Sequence, residues 1–228
     1  GLTSPMRLSG FAFAKSLASA LAVLAVSPLV LFYRIAAAVA PGRTNGIFQG
    51  YSQLLSLLPG YSGSYLRRAF YRVTLERCPA NCHIGFGTVF STPDVRIGQH
   101  VYVGAFCMIG HCEIGDDVLI GSNVDILSGK RQHRFDRLDI PIRLQGGTYE
   151  CVRIGRDAWL GNGSIIAADV GSQSIIAAGA VIVKPIGARL IMGGNPARLV
   201  ARRTGADAEG NPVFTPPDLD IAATSELA

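Results

Sequence analysis

Charged residues are scarce in this chain. Asp, Glu, Lys and Arg make up 16% of its 228 residues, whereas hydrophobic residues make up 49%. The formal net charge is +5, and the basic residues, eighteen Arg and three Lys, form no dense run. Arginine suits contacts with phosphates, but basic tails and patches that bind nucleic acid are usually dense runs. We therefore expect no nucleic-acid partner.

Paired cysteines are not indicated either, because the five cysteines are an odd number in a chain of ordinary length. A disulfide framework is therefore not expected, and a reducing cytoplasm is the simpler interpretation. The candidate zinc ligands are Cys78, Cys82, His83, His111 and Cys112. Their spacing matches none of the usual zinc patterns, so we expect no metal.

Charge is absent altogether from Ser16 to Tyr33, a stretch of eighteen residues. This length is at the lower limit for a helix that spans a bilayer. We interpret the stretch as a retained membrane segment, either a single span or a hairpin bent at Pro28. The alternatives are a signal peptide and a hydrophobic helix buried in an oligomer interface.

Two further helices are predicted after this stretch, separated by the helix-breaking pair Pro59-Gly60. The first covers about residues 46–58, and the second runs from about residue 62 to residue 77. In the second helix, apolar residues share one face, and Arg67 and Arg68 lie mainly elsewhere. This pattern is typical of a helix on an anionic membrane surface. The alternative is a helix that covers the open end of the domain that follows.

A six-residue unit repeats over residues 84–126 and again over 152–182. A fixed period of this length is a signature of a parallel β-helix. In each unit an aliphatic residue is expected to point inward, and the Gly after it to permit a sharp turn with positive φ. A small or β-branched residue stands two positions earlier and suits a tight corner. The regular aliphatic–Gly pairs are Ile84-Gly85, Ile97-Gly98, Val103-Gly104, Ile109-Gly110, Ile114-Gly115, Ile120-Gly121, Ile154-Gly155 and Leu160-Gly161.

The repeat is interrupted once, between Leu127 and Cys151. An excursion of this kind from a regular scaffold is a common place for function. His133 is the one histidine in this loop. Acyl transfer to a hydroxyl or an amine needs a base that takes the acceptor's proton, and imidazole is suited to this near neutral pH.

These features together resemble the hexapeptide-repeat acyltransferases over residues 80–203. The resemblance rests on the repeats, the histidine loop and three motifs: Ala158-Trp159-Leu160-Gly161, Ala178-Gly179-Ala180-Val181 and Gly194-Asn195-Pro196-Ala197. Within the family, the chain is similar to the branch with galactoside, maltose and xenobiotic acetyltransferases and candidate exopolysaccharide O-acetyltransferases. The resemblance implies a left-handed parallel β-helix and a homotrimer that binds acetyl-CoA between neighbouring subunits.

The resemblance also implies roles for individual residues. His133 corresponds to the general base; the residue that orients it is left open among Glu150, Asp136, Asp125 and a backbone carbonyl, with Glu150 preferred. Cofactor binding is implied for Trp159 in the groove, Ala178 and Gly179 beside the pantetheine arm, Asn195 and Pro196 near the CoA tail, and Lys184 and Arg198 at the phosphates. Acceptor recognition is not implied, because Phe106–His111 offers Cys107 and no Asn or Asp.

The chain is thus expected to be mainly β, with an N-terminal membrane-associated α-helical region. Four segments are predicted: a hydrophobic segment at 1–45, amphipathic capping helices at 46–79, the β-helix at 80–203 and a disordered tail at 204–228. The tail is expected to be disordered because it is acidic, rich in Pro and without basic residues.

The expected activity is transfer of an acetyl group from acetyl-CoA to a hydroxyl of a glycan or lipid-linked saccharide. The expected location is the cytoplasmic side of the plasma membrane, with the membrane surface as a partner. Three alternatives stay open: an acyltransferase for longer chains on a lipid acceptor, a non-catalytic trimeric scaffold, and a metal enzyme using His83, His100 and His111.

Overall fold

The computed structural model describes residues 5–206 and 212–215, with side chains from Lys15 onward and at Val213 in the last strand. Three α-helices come first: α1 (Pro5–Val39), α2 (Thr44–Ser56) and α3 (Gly60–Thr74), with a 3-10 turn at Pro41–Arg43. The Lys15–Val39 part of α1 is long and apolar enough to cross a membrane, by length and composition alone.

Helix α1 is continuous through Pro28, so the interpretation as a hairpin bent at that residue is wrong. Proline has no N–H to donate to the carbonyl four residues earlier, which normally breaks or kinks a helix. Here that carbonyl belongs to Leu24, and the hydroxyl of Ser27 donates to it at 2.7 Å. The neighbouring serine therefore replaces the donor that Pro28 removes.

The repeats form a parallel β-helix with three sheets, as the sequence predicts. Strands stack on the strand one coil away, in parallel and in register. The first sheet contains β1 (His83–Ile84), β4 (Tyr102–Val103), β7 (Leu119–Ile120), β10 (Trp159–Leu160), β12 (Ile175–Ile176) and β14 (Leu190–Gly193). The second contains β2 (Val89–Phe90), β5 (Met108–Ile109), β8 (Asp125–Ile126), β11 (Ile165–Ile166) and β13 (Val181–Ile182). The third contains β3 (Val95–Ile97), β6 (Cys112–Ile114) and β9 (Val152–Ile154).

Inward side chains fill the β-helix as one aliphatic column, which removes their apolar surface from water. The aliphatic residue of each repeat is buried, from Ile84 at one end to Ile182 at the other. The small corner positions are also buried, as predicted: Cys82, Val95, Val101, Cys107, Cys112, Val118, Val152, Ala158, Ser164, Ser174 and Ala180.

The glycines after the aliphatic residues have a different reason from the one predicted. Positive φ angles occur three residues after the aliphatic residue instead, for example at Gly87, His100 and Phe106. A Cβ at Gly104 would lie 2.6 Å from the backbone of Gly121, one coil above. Glycine is therefore needed there because neighbouring coils approach too closely for any side chain.

The C-terminal end of the β-helix is covered by an antiparallel pair, β15 (Arg198–Ala206) and β16 (Pro212–Thr215). Strand β15 pairs with β14, so the hairpin extends the first sheet. The prediction of disorder from residue 204 is therefore wrong for 204–206 and 212–215. The strands form because backbone pairing and a hydrogen bond from Thr204 Oγ1 to the Val213 carbonyl, at 2.9 Å, outweigh the polar composition. The rest of the predicted tail lies outside the described residues.

Helix α3 covers the N-terminal end of the β-helix, which was the alternative interpretation of its sequence. Arg67 and Arg68 are 1% and 8% exposed, so placing them at a membrane surface is wrong. Both donate hydrogen bonds to backbone carbonyls, Arg67 to Ile84 and Arg68 to Cys82. Their charge is directed at the unpaired backbone edge of the first coil, where open carbonyls need donors.

Candidate active site

The loop between β8 and β9 carries His133 on a small backbone-paired ribbon. The backbone carbonyl of Arg131 accepts a hydrogen bond from the N–H of Thr148, and the carbonyl of Gly146 accepts one from the N–H of Arg134, each at 2.8 Å. These two bonds flank His133 on either side and fix its backbone. A Cβ at Gly147 would collide with the backbone of Gln132, so glycine there permits the two segments to lie side by side. The ring of His133 is exposed to solvent.

The acidic side chains of this loop are paired with arginines. Glu150 binds Arg131 through both Nε and Nη2. Asp136 accepts from Arg134 Nε at 3.1 Å and from Nη2 at 2.9 Å. The hydrogen bond from Arg134 lowers the pKa of Asp136. Two of the carboxylates considered as orienting partners of His133 are thus engaged elsewhere, and the role of Glu150 stays a prediction.

Most of the proposed cofactor contacts meet on the last coils of the second sheet. The carbonyl of Val181 accepts a hydrogen bond from the N–H of Ala197 at 2.9 Å, and the N–H of Val181 donates to the carbonyl of Gly194 at 3.0 Å. These bonds hold the turn over 194–197 beside β13. The exposed residues brought to this end are Ala178, Gly179, Lys184, Asn195, Pro196 and Arg198. Loop 128–150 leaves the same sheet at the end of β8, two strands away, or about 10 Å.

Trp159 lies on a different face of the β-helix. It belongs to β10 in the first sheet, paired with Leu119 on one side and Ile175 on the other. Its side chain is 52% exposed, and Tyr102 and Leu119 on the same face are 46% and 51% exposed. A single chain therefore presents Trp159 and the His133 loop on separate faces.

A polar cavity of about 350 Å³ lies beside the loop. It is lined by Asn45, Gln49, Ser91, Thr92, Asp94, His111, Ser128, Gln132 and Tyr149. The hydroxyl of Thr92 donates to Asp94 Oδ2 at 3.1 Å and lies 3.4 Å from Asn45 Oδ1. Ser128 Oγ accepts a hydrogen bond from the N–H of His111 at 2.9 Å. The cavity therefore combines a carboxylate, amides, hydroxyls and an exposed aromatic ring.

Apart from His111, the residues that line this cavity lie outside Phe106–His111, the region in which the sequence was searched for acceptor-binding residues. The polar groups come instead from helix α2 and from the segment after β2. Asn45 and Gln49 stand four residues apart and so share one face of α2. The spacing of the repeat is also broken by Thr92-Pro93-Asp94, a departure that could have drawn attention to these residues.

The described part of the chain contains no group of three or more His, Cys, Asp and Glu side chains placed to hold a metal ion. His83 is bonded to Ser64 through Nδ1 at 3.2 Å and stacks on Tyr102, with ring centroids 4.9 Å apart. His100 lies 3.2 Å from Asp117 instead. The histidines of the metal alternative thus have separate surroundings within this chain.

Two family models match the repeats. Residues 94–126 match the bacterial transferase hexapeptide (six repeats), and residues 151–184 match the hexapeptide repeat of succinyl-transferase. These two segments lie on either side of the His133 loop, which confirms where the repeat was predicted to break. They also confirm the predicted resemblance to hexapeptide-repeat transferases.

The chain is similar to a Saccharomyces cerevisiae protein named "Putative acetyltransferase YJL218W", with 32% identity over 117 residues. The match covers 48% of this chain and 60% of that protein. The fold is similar to a maltose O-acetyltransferase from Clostridium difficile 630, with TM-score 0.60, 21% identity and coverage of 72% of this chain and 90% of the other.

A second similar structure is a hexapeptide-repeat acetyltransferase from Vibrio cholerae in complex with acetyl coenzyme A. It has TM-score 0.60 and 20% identity, and it covers 73% of this chain and 91% of the other. At this identity the two solved structures establish the fold, and the sequence relative is matched over part of its length. The chain therefore has the fold of these hexapeptide-repeat structures.

Proposed function

We propose that this protein is a membrane-associated O-acetyltransferase that uses acetyl-CoA and a hydroxyl of a glycan or lipid-linked saccharide. The observation that carries the proposal is the polar cavity directly beside the His133 loop. Gln132 lines the cavity and is the sequence neighbour of His133. Amides, a carboxylate and an exposed tyrosine are the groups that bind sugar hydroxyls and the apolar face of a sugar ring.

His133 is proposed as the base. Its backbone is held by the ribbon hydrogen bonds, and its exposed ring is free to reach a bound hydroxyl. A neutral imidazole accepts the proton of that hydroxyl as the oxygen forms its bond to the acetyl carbon. The acceptor oxygen becomes the ester oxygen, and the thiolate of CoA leaves.

The proposed donor site is the end of the second sheet near β13. Acetyl-CoA supplies an activated thioester, and this chain supplies an open surface with two cations. Ala178 and Gly179 are small and exposed, and a Cβ at Gly179 would meet no atom within 4 Å. An extended pantetheine arm can therefore lie along them. Lys184 and Arg198 are exposed beside this surface and suit the phosphates.

A homotrimer is proposed because the candidate groove is incomplete in one chain. Trp159 lies on the first sheet, whereas the His133 loop and the donor surface lie on the second. A neighbouring copy that packs its first sheet against this surface would bring Trp159 to the groove. The exposed apolar residues Tyr102 and Leu119 on the same sheet favour such packing. The proposed location is the cytoplasmic side of the plasma membrane, where acetyl-CoA is available.

The test is CoA release from acetyl-CoA by the full-length protein in its own membranes, compared with His133→Ala. We expect thiol release and labelled ester in a glycan or glycolipid fraction, with at least about a hundredfold loss in the variant. The matched control is His100→Ala, which removes another exposed histidine far from the loop. Equal rates for His133→Ala and the wild type would rule out His133 as the base. Silence with every acyl donor would rule out the activity.

A further inference from the structure

Helix α1 is hydrogen-bonded at two distant positions to α3, the helix that covers the end of the β-helix. Near its start, Ser19 Oγ accepts a hydrogen bond from Arg68 Nη2 at 3.1 Å, and Arg68 also donates to the Cys82 carbonyl next to β1. Near its end, Arg34 donates to the Val73 carbonyl at 3.0 Å. The helix therefore has fixed contacts at two distant points along its length.

Aromatic packing strengthens the second of these contacts. The ring of Tyr33 lies 6.1 Å from that of Phe70, which lies 5.7 Å from Tyr71. Tyr71 in turn lies 4.6 Å from Phe90 in strand β2 of the first coil. Position 33 of α1 is thus connected to the β-helix through two packed rings.

These contacts fix the direction of α1 relative to the β-helix. Ser19 and Arg34 are fifteen residues apart, or about 22 Å along a helix. Both nevertheless contact helix α3, whose Arg67, Arg68 and Tyr71 contact the first coil. A helix leaving α3 at a steep angle would carry one of these two residues well away from it. Helix α1 therefore packs along α3, which covers the end of the β-helix.

The outer face of α1 is an exposed apolar stripe. Its members are spaced three, four or seven residues apart, which places them on one side of the helix. They are Leu17, Leu21, Leu24, Leu31, Ile35 and Val39, and each is at least 50% exposed. A continuous apolar surface of this length marks a site that contacts another molecule or a membrane.

The charge of the helical region indicates whether the apolar stripe contacts another molecule or a membrane. Residues 1–75 contain seven Arg and Lys and no Asp or Glu; Arg67 and Arg68 among them are buried against carbonyls, and the other five are Arg7, Lys15, Arg34, Arg43 and Arg72. The remaining chain has fourteen basic and sixteen acidic residues, a net charge of −2. The cationic charge of the protein is thus concentrated in the region that carries the apolar stripe. Apolar residues flanked by cations suit an anionic lipid surface.

A cavity at the edge of α1 offers a place for a lipid headgroup. It has a volume of about 470 Å³ and is lined by Lys15, Ser16, Ser19, Ala20, Val23, Arg72 and Ala80. Lys15 and Arg72 are exposed cations, and Ser16 adds a hydroxyl donor, whereas the hydroxyl of Ser19 donates to the Lys15 carbonyl at 2.9 Å. A phosphate can accept hydrogen bonds from Lys15, Arg72 and Ser16.

We infer that the protein docks on an anionic bilayer through the outer stripe of α1, which lies in the membrane plane and does not cross it. A phosphate headgroup occupies the cavity between Lys15 and Arg72. Crossing the bilayer would pull α3, with its arginines and the first coil beneath it, toward hydrocarbon depth, since α1 packs along α3. Charged groups and open backbone at that depth are strongly unfavourable. This inference refines the membrane association in the proposed function and rests on that part of it.

The experiment uses the full-length chain with a peptide tag before Gly1 and sealed vesicles added to the folded protein. Flotation compares phosphatidylcholine vesicles with vesicles that also contain phosphatidylglycerol. We expect binding to the anionic vesicles, with a tag that an external protease removes completely. Leu21→Glu should weaken binding about tenfold or more, because the stripe loses a leucine that the bilayer would bury. Its matched control is Val200→Glu, an exposed apolar residue at the opposite end of the β-helix.

The headgroup cavity is tested by Arg72→Gln, which should weaken binding to anionic vesicles about fivefold. Arg156→Gln, which removes an exposed cation from the β-helix, should leave binding unchanged. A tag protected from protease would overturn the inference, because α1 would then cross the bilayer. Absence of binding would also overturn the inference. If light scattering then shows a larger oligomer, the stripe of α1 is covered by a second copy of the chain. Thiol release measured on the same samples separates failure of docking from failure of the proposed activity.

Discussion

The guanidinium of Arg67 donates from Nε to the carbonyl of Ile84 at 3.1 Å, and so joins helix α3 to the first strand of the β-helix. Its Nη1 also donates to Leu58 at 2.5 Å and to Leu55 at 3.4 Å, both at the C-terminal end of α2. A cation is favoured at that end of a helix, where carbonyls lack N–H partners. Burial lowers the pKa of Arg67, and the three carbonyls stabilise its charge.

Arg67→Leu is expected to destabilise the fold strongly. The carbonyls of Ile84 and Leu58 would lose their donor, whereas Leu55 would still accept from the N–H of Leu58. An unsatisfied buried group costs about 1–3 kcal/mol, so we expect a loss of about 2 kcal/mol or more in the free energy of unfolding, measured by chemical denaturation. Arg72→Leu on the same helix is the control, and its exposed side chain should change stability by less than about 0.5 kcal/mol. Similar values for the two variants would contradict a special role for Arg67.

Two serines at equivalent positions of the repeat should respond in opposite ways to substitution by alanine. Ser164 Oγ is buried and has no hydrogen-bond partner among the described residues. Ser174 Oγ donates to Gly187 at 2.9 Å and accepts from Leu190 at 3.1 Å. Ser164→Ala should be neutral or stabilising, whereas Ser174→Ala should cost about 1–2 kcal/mol. The measurement is the melting temperature of each variant. A larger decrease in Ser164→Ala than in Ser174→Ala would contradict this prediction.

Asp94→Asn is expected to impair acceptor binding selectively. The carboxylate lines the polar cavity and accepts from Thr92, so the substitution removes a charged acceptor from the proposed sugar site. We expect the KM for the acceptor to rise about tenfold, equivalent to about 1.4 kcal/mol, while the KM for acetyl-CoA stays unchanged. Glu113→Gln on the third sheet is the control. An equal rise in both KM values would place Asp94 outside a dedicated acceptor site.

Stability is expected to fall on mild acidification because of His83. Burial lowers the pKa of His83, and Arg67 and Arg68 lower it further. The unfolded chain then binds a proton near the ordinary value of about 6.5, while the folded chain resists it. The contribution of neutral His83 to stability is therefore complete above that pH and declines as the pH falls below it.

The measurement is the melting temperature as a function of pH between 8 and 5. His83→Gln should flatten the decline below pH 6.5, because the substituted side chain does not titrate. His100→Gln, at an exposed histidine, should leave the decline in place. An unchanged profile in His83→Gln would show that other groups control the acid sensitivity.

The spacing of aliphatic and small residues is sufficient to predict the β-helix and the position of its interruption. Aliphatic residues at a period of six, with small residues two positions earlier, satisfy local geometry coil after coil. Each coil pairs only with its neighbours, so a local pattern is sufficient to specify the architecture. The position of the His133 loop follows from the same pattern, because it is where the period stops.

Contacts between distant segments specify the features that no local pattern predicts. Helical periodicity places Arg67 and Arg68 on the surface, but both are buried where they donate to carbonyls of the first coil. No local pattern predicts that Asn45 on α2 and Asp94 after β2 line one cavity. Glycine is required at Gly104 because of the next coil rather than because of its own φ angle.

The orientation of α1 is the clearest case of this division. Its composition alone predicts a segment that associates with a membrane, and a spanning helix and a helix in the membrane plane have the same apolar content. Only the hydrogen bonds of Ser19 and Arg34 to α3, the helix that covers the end of the β-helix, place α1 across that end. Hydrophobicity depends on the local residues, whereas direction depends on partners distant in sequence, and only the folded chain brings these together.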